Sequence, residues 1–395
     1  MRVQMRLDAT RTETWTFLSY GFRPFFFGGA VWAVAAMVLW IGMITGNLDL
    51  APGLPLVSWH VHEFLFGYVG AIIAGFLLTA VPNWAGRPPL RGVSLLALLV
   101  LWVAGRCAFL LSGVIGYAAA AFIDALFLPA LALLILREVR AAENKGNIRI
   151  GIIISILALA NILFHTEMAV YGQVPFATRG SISLIVLLIM LIGGRVIPNF
   201  TKNWLVRKGS HHLPAQMDRF DYAALAAGVI ALALWTSLPA APLACLFLLV
   251  AGALHTVRLG RWSGWRTLRE PLVFILHAGY AFVPLGFILV GLSLIYPAVI
   301  SPSVALHAWT TGAMGVMTLA IMTRATRGHS GHPLTAPPAT QFIYLCAVAA
   351  VIFRLTELVF PEAALTLYAL SAAAWIAAFA GFLVIYSPML LFSRS

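Results

Sequence analysis

Twelve times along this chain a run of about 20 predominantly apolar residues is closed off by a short polar break, and such a run is what an α-helix needs to cross a bilayer. Lipid offers no partner to an open backbone N–H or C=O, so repeated runs of this length predict helices packed as a membrane bundle. The breaks place the spans at 22–45, 60–82, 91–112, 115–137, 150–172, 180–200, 220–238, 241–259, 271–295, 303–323, 340–360 and 364–390. Composition agrees: 62% of residues are hydrophobic and only 10% are charged, too little polar surface to coat a soluble globule. The expected fold is an all-α polytopic membrane protein, a single membrane domain over residues 1–395.

Basic residues are distributed by side. With a cytoplasmic N-terminus, all of the 25 Lys and Arg except Arg106, Arg179 and Arg354 fall in cytoplasmic tails and loops or at helix ends on that side. Examples are Arg137, Arg140, Lys145 and Arg149 after the fourth span, and Arg258, Arg261, Arg266 and Arg269 after the eighth. This is the positive-inside pattern, and it predicts that both termini are cytoplasmic. The polar, arginine-bearing start, Met1 to Thr16, reads as a cytoplasmic tail rather than a signal peptide. The net charge of +12 then follows from topology and anionic headgroups, with no call for nucleic acid. Cys107, Cys245 and Cys346 lie in apolar runs and form no C-x-x-C-H, which argues against covalent haem attachment.

Two arginines, Arg106 and Arg354, lie inside predicted spans. A shift of 245 residues sets His62 on His307, Gly67 on Gly312, Gly70 on Gly315, Gly86 on Gly331 and Pro88 on Pro333 without a gap, and brings the two arginines within three residues of register. Val81-Pro82-Asn83-Trp84 resembles Ile197-Pro198-Asn199-Phe200 and marks a weaker middle copy, setting Arg195 against Arg324. The chain is therefore expected to be three four-helix repeats, 17–141, 147–262 and 268–392, because an even number of spans per copy keeps the copies parallel.

The ionisable residues fall in two layers. His60, His62, Glu63, His307, His165, Glu167, Arg106 and Arg354 are expected in the periplasmic half. Arg195, Asn199, Arg324, Arg327, His329 and His332 belong near the cytoplasmic side, with His277 about two turns into the ninth span. Charges inside a bilayer are costly without partners, so either they satisfy one another or they bind something. Neutral imidazole is the commonest metal and haem ligand, which makes His60, His62, His277 and His307 metal-ligand candidates. His60 and His62 stand about 200° apart around a helix and are expected to do different jobs. Arg106 and Arg354 need anions, which haem propionates or Glu63, Glu167, Glu357 and Asp124 would supply. The run from Thr323 to Pro333 reads as a tight turn, either an anion site or a basic loop. Span 9, with Pro284 and Gly286, is the candidate for a broken helix.

Four separated segments carry a resemblance: WHVHEFLFGYVGAIIAGFLLTAVPNWAG from Trp59, GGRVIPNFT at Gly193–Thr201, ILHAGYAFVPLG at Ile275–Gly286, and LHAWTTGAMGVMTLAIMTRATRGHSGHPL at Leu306–Leu334. Together they resemble the NnrS family of bacterial membrane proteins, over nearly the whole chain. The resemblance implies a twelve-helix haem protein of the inner membrane, associated with haem and copper and linked to denitrification and nitric oxide tolerance. It places the family's motif residues at His60, His62, His277, His307, His329, Arg195 and Arg324, the last three of these beside the cofactor.

The resulting expectation is a non-covalent haem b, held by His62 or His307 with His277 as rival, with copper or a second iron as a further metal where one is present. Nitric oxide would be reduced to nitrous oxide, with Glu63 relaying protons and Arg106 or Arg354 stabilising developing anionic charge. The partners are nitric oxide, an unidentified electron donor and the lipid bilayer; a homodimer is left open. A non-catalytic sensor or haem-handling protein is the alternative, and a small-solute transporter a third.

Overall fold

The computed structural model describes residues 16–50, 53–141 and 148–392; the expected N-terminal tail up to Trp15 and Lys145 lie outside the described residues. The described residues are helical and contain no strand. Twelve helices are long and apolar enough to span a membrane: α1 Phe22–Ile44, α2 Leu56–Ala85, α3 Val93–Leu110, α4 Tyr117–Ala141, α5 Ile148–Tyr171, α6 Pro175–Arg207, α7 Arg219–Ser237, α8 Pro242–Gly260, α9 Pro271–Ile295, α10 Pro302–His329, α11 Pro338–Thr356 and α12 Pro361–Leu391. The chain is thus a multi-pass, all-helical membrane protein.

Tertiary packing divides the chain into two compact units. One comprises the chain up to Ala177 with Met322–Leu334 and the stretch from Phe379 onward; the other comprises Thr178–Ile321 and Thr335–Ala378. Inside the first unit, small residues set the helix spacing. A Cβ on Gly29 of α1 would stand 2.6 Å from the Ile72 side chain of α2, and one on Gly75 would stand 2.8 Å from Phe26. Gly105 of α3 does the same against α4, where a Cβ would meet Asp124 Oδ1 at 3.0 Å and its Cα at 3.2 Å. Without a hydrophobic force between helices in lipid, such close approach supplies the dispersion contact that holds them together.

In the second unit Arg258 is buried and fully engaged. Its Nε donates to Asp221 Oδ1 (2.9 Å) and its Nη1 to the Tyr280 hydroxyl (3.0 Å) and the Met190 carbonyl (3.2 Å), while Trp262 covers the guanidinium. Tyr280 and the Ala224 carbonyl take the two nitrogens of His255 at 2.9 and 3.1 Å. Gly194 makes the room: a Cβ there would stand 2.2 Å from Arg258 Nη2.

Two helices are not regular throughout. α2 widens into a π-helical stretch over Glu63–Val69, and α10 does so over Ala308–Val316. Such wide turns concentrate at functional sites because they release backbone groups and re-aim side chains. The break expected in the ninth span is absent, since α9 runs continuously through Pro284 and Gly286. Gly286 instead receives the Trp309 ring, which would come within 2.2 Å of a Cβ, and Trp309 Nε1 donates to the Val283 carbonyl at 3.0 Å. The tight turn expected from Thr323 is also corrected: α10 stays helical to His329, and the chain turns only at Gly331. Arg324, Ala325 and Arg327 favour helix, and nothing breaks it before the glycine and Pro333.

Candidate metal centre

Four helices of the first unit meet at one buried cluster. His62 ends the regular first part of α2, and Glu63 opens its π-helical stretch. Arg106 comes from the C-terminal part of α3, one turn before its end, and Asp124 ends the first segment of α4, just before a turn at Ala125 and Leu126. Asn161 and His165 project from one face of α5, four residues apart. His62 and Glu63 are wholly buried, and Asp124 and Asn161 are each 2% exposed. Every polar group here must therefore be satisfied by the protein or by something it binds.

The bonds close into a ring. His62 donates from Nδ1 to Glu63 Oε1 (2.9 Å) and from Nε2 to Asp124 Oδ2 (3.1 Å). Arg106 donates from Nη1 to Glu63 Oε2 (2.5 Å) and from Nη2 to Asp124 Oδ1. Asp124 Oδ2 also accepts from Asn161 Nδ2 (3.0 Å) and from His165 Nε2 (3.1 Å), and the Tyr117 hydroxyl donates to His165 Nδ1 at 3.1 Å. Phe66, Phe109 and Phe164 wall off His62, with ring centroids 4.4–5.3 Å from its own. Ligand atoms of His62, Asp124 and His165 lie within 4.8 Å of one another, a group able to hold a metal ion.

A glycine keeps the cluster open on one side. A Cβ on Gly67 would stand 2.5 Å from Arg106 Nη1, 2.8 Å from Trp32 Nε1 and 3.0 Å from Glu63 Oε2. The Gly67 carbonyl in turn accepts from Trp102 Nε1 at 2.9 Å, which ties α3 to the wide turn of α2.

The expected site residues separate. His62, Glu63 and Arg106 join the cluster, and Asp124 and Glu63 are the anions that Arg106 was expected to need. His60 turns elsewhere, stacked on Trp40 with centroids 4.4 Å apart and beside Phe64. Arg354, in the second unit, pairs with Glu357 and lies over the Tyr368 ring at 4.5 Å, and Tyr368 donates to Glu357 Oε1 at 3.0 Å. His329 lies against the Tyr20 and Phe22 rings. Arg324 is buried, whereas Arg195 is on an exposed face of α6. His62 and His307 fall in different units.

A haem requires an imidazole with one nitrogen turned to the iron and the other held by a second partner. His62 does not fit a porphyrin, since the Phe66, Phe109 and Phe164 rings enclose it. In His277, Nε2 is hydrogen-bonded to Thr201 Oγ1 at 2.8 Å, and Nδ1, buried without a hydrogen-bond partner among the described residues, faces Gly264, where a Cβ would stand 2.6 Å away. In His307, Nδ1 donates to the Ser303 carbonyl one turn back at 2.7 Å, a bond of the kind that orients an axial imidazole. Asn161 escaped sequence reasoning; its signal was the N-x-x-x-H spacing to His165 on one helical face.

No curated protein matches the chain. A family model described as NnrS protein matches residues 16–394. With nearly its whole length covered, the chain belongs to the NnrS family.

Proposed function

We propose that this protein acts on nitric oxide at metal sites within the bacterial inner membrane, reducing two molecules to nitrous oxide and water with two electrons and two protons. The observation that carries the reading is the buried His62–Glu63–Arg106–Asp124–His165 cluster in a chain of the NnrS family. Nitric oxide is small, neutral and lipid-soluble, so it reaches a lipid-embedded site that excludes ions. Both termini are read as cytoplasmic, and the electron donor as a separate protein. The likeness of the first and third copies is supported by the two π-helical stretches, which begin directly after His62 and directly after His307, 245 residues apart as in the sequence register.

A b-type haem would be held by His307, and when bound it supplies one-electron chemistry and a place for the gas to bind. The chain's own residues do the rest. Arg106 fixes the two carboxylates against each other, so neither rotates away from His62. Glu63, His62 and Asp124 form one hydrogen-bonded line, and Glu63 is the group placed to pass a proton toward the centre. The guanidinium stays positive and offsets negative charge that develops beside it.

The test is purified, reduced protein given nitric oxide, with loss of the gas followed by electrode and nitrous oxide by gas chromatography. Repeated turnover, abolished in Arg106→Ala, is expected. Stoichiometric binding without nitrous oxide replaces the reductase with a sensor or haem-handling protein. Absence of a Soret band in protein made with ample haem, or one unchanged in His307→Ala, removes the haem assignment.

A further inference from the structure

We infer that His62 Nε2, His165 Nε2 and Asp124 Oδ2 together seat a single non-haem ferrous ion. The inference deepens the reading above, and its choice of iron over zinc rests on that reading. Each imidazole nitrogen stands 3.1 Å from the carboxylate oxygen. Ligands about 2.0–2.2 Å from a common metal ion stand about 3 Å apart. Both histidines already stand at that spacing from the carboxylate oxygen, and the ligand atoms of the three residues all lie within 4.8 Å of one another.

Arg106 bonds one oxygen of each carboxylate, which leaves Glu63 Oε1 and Asp124 Oδ2 to face His62. Ionised carboxylates only accept, so with no metal ion between them each His62 nitrogen must carry a proton to complete the ring. An ion at the junction of the three donors removes that demand at Nε2. The Nδ1 bond to Glu63 then becomes the carboxylate–imidazole contact that orients a metal-ligating histidine. With the ion on Nε2, His165 carries its proton on Nδ1 and donates it to the Tyr117 hydroxyl, which orients the ring.

Asn161 offers a further donor. Its Nδ2 bonds to Asp124 Oδ2, while its Oδ1, buried with the rest of the side chain, has no hydrogen-bond partner among the described residues. A half-turn of the amide exchanges the two atoms and turns that oxygen toward an ion beside Asp124 Oδ2.

The donors select the ion. Magnesium and calcium prefer all-oxygen shells, and cuprous copper prefers sulfur. Two imidazoles and a carboxylate with positions left open hold zinc or non-haem ferrous iron, and of the two it is ferrous iron that binds nitric oxide.

The full-length protein, stripped with a chelator and reloaded anaerobically with ferrous salt, is assayed for iron in excess of haem. One such iron per chain is expected, lost in His165→Ala and Asp124→Asn but kept in His307→Ala. Glu63→Gln and Tyr117→Phe should weaken it roughly 10–100-fold. Nitric oxide added to the reduced protein should give a high-spin non-haem signal in paramagnetic resonance, absent in His165→Gln, with an unaltered Soret band and elution volume as folding controls. No excess iron in the reloaded wild type, iron retained in folded His165→Gln, or zinc or copper held there in its place overturns the assignment. Iron bound without nitrous oxide formation keeps this site and removes the reductase reading, whereas turnover unchanged in His165→Gln keeps the reductase and removes the site.

Discussion

Asp124 has four polar partners on two oxygens: Arg106 on Oδ1, and His62, His165 and Asn161 on Oδ2. Removing one member of a buried ion pair leaves the other uncompensated, at a cost of about 3–5 kcal/mol. Asp124→Ala should therefore lower the thermal unfolding midpoint in detergent far more than Asp218→Ala on the exposed surface. Gly67→Ala should be similarly selective, because its Cβ would force Arg106 and Trp32 aside. Overpacking of this kind costs about 1–3 kcal/mol, and the predicted readout is loss of bound iron with the helical circular dichroism retained. His62, Glu63 and Arg106 were legible in the sequence because ionisable groups in an apolar run demand an explanation. Asp124 and His165 were visible only as members of a set of partners. Asn161 was hidden, since one amide in a span reads equally well as helix packing, and only the meeting of α4 with α5 shows what it faces.

Helix bounds were legible to within a few residues where a proline or glycine closes an apolar run, as at Pro242 and Pro271, which open α8 and α9. They were not legible where charged residues continue a helix beyond the lipid. α6 extends to Arg207 and α10 to His329, past the expected 200 and 323. The π-helical stretches had no readable signal, because a wide turn is set by what packs on it, here Trp102 on the Gly67 carbonyl. Outside the spans, α7 is opened by a capping box in which Asp218 accepts from Phe220 and Asp221 backbone N–H groups, and Arg261 donates to Asp218 Oδ2 at 2.5 Å. The Arg261 hydrogen bond holds the Asp218 carboxyl below its ordinary value. A depressed carboxylate stabilises fully above its unfolded value of about 3.9, and that contribution is lost as pH falls through the lower folded value. Asp218→Asn is expected to lower the thermal unfolding midpoint slightly near neutrality and to leave it unchanged in strong acid, so that the acid limb of the stability profile flattens.

For the molecule as a whole, hydropathy and charge carried the class and the number of spans, because bilayer thickness imposes a length that the sequence must meet. The division into two packed units was not legible, since it arises from which helices touch rather than from the repeat register. Reporter fusions at the N- and C-terminus test the topology: both should be active only in the cytoplasmic format, and a periplasmic signal from either end would refute the positive-inside reading.

The buried cluster of the first unit as a nitric-oxide-handling centre is the central claim. It is tested most directly by nitrous oxide formation from nitric oxide by purified, reduced, metal-loaded protein, wild type beside His165→Gln. The account predicts sustained nitrous oxide production in the wild type and its loss in the folded variant, whereas equal production by both would contradict it.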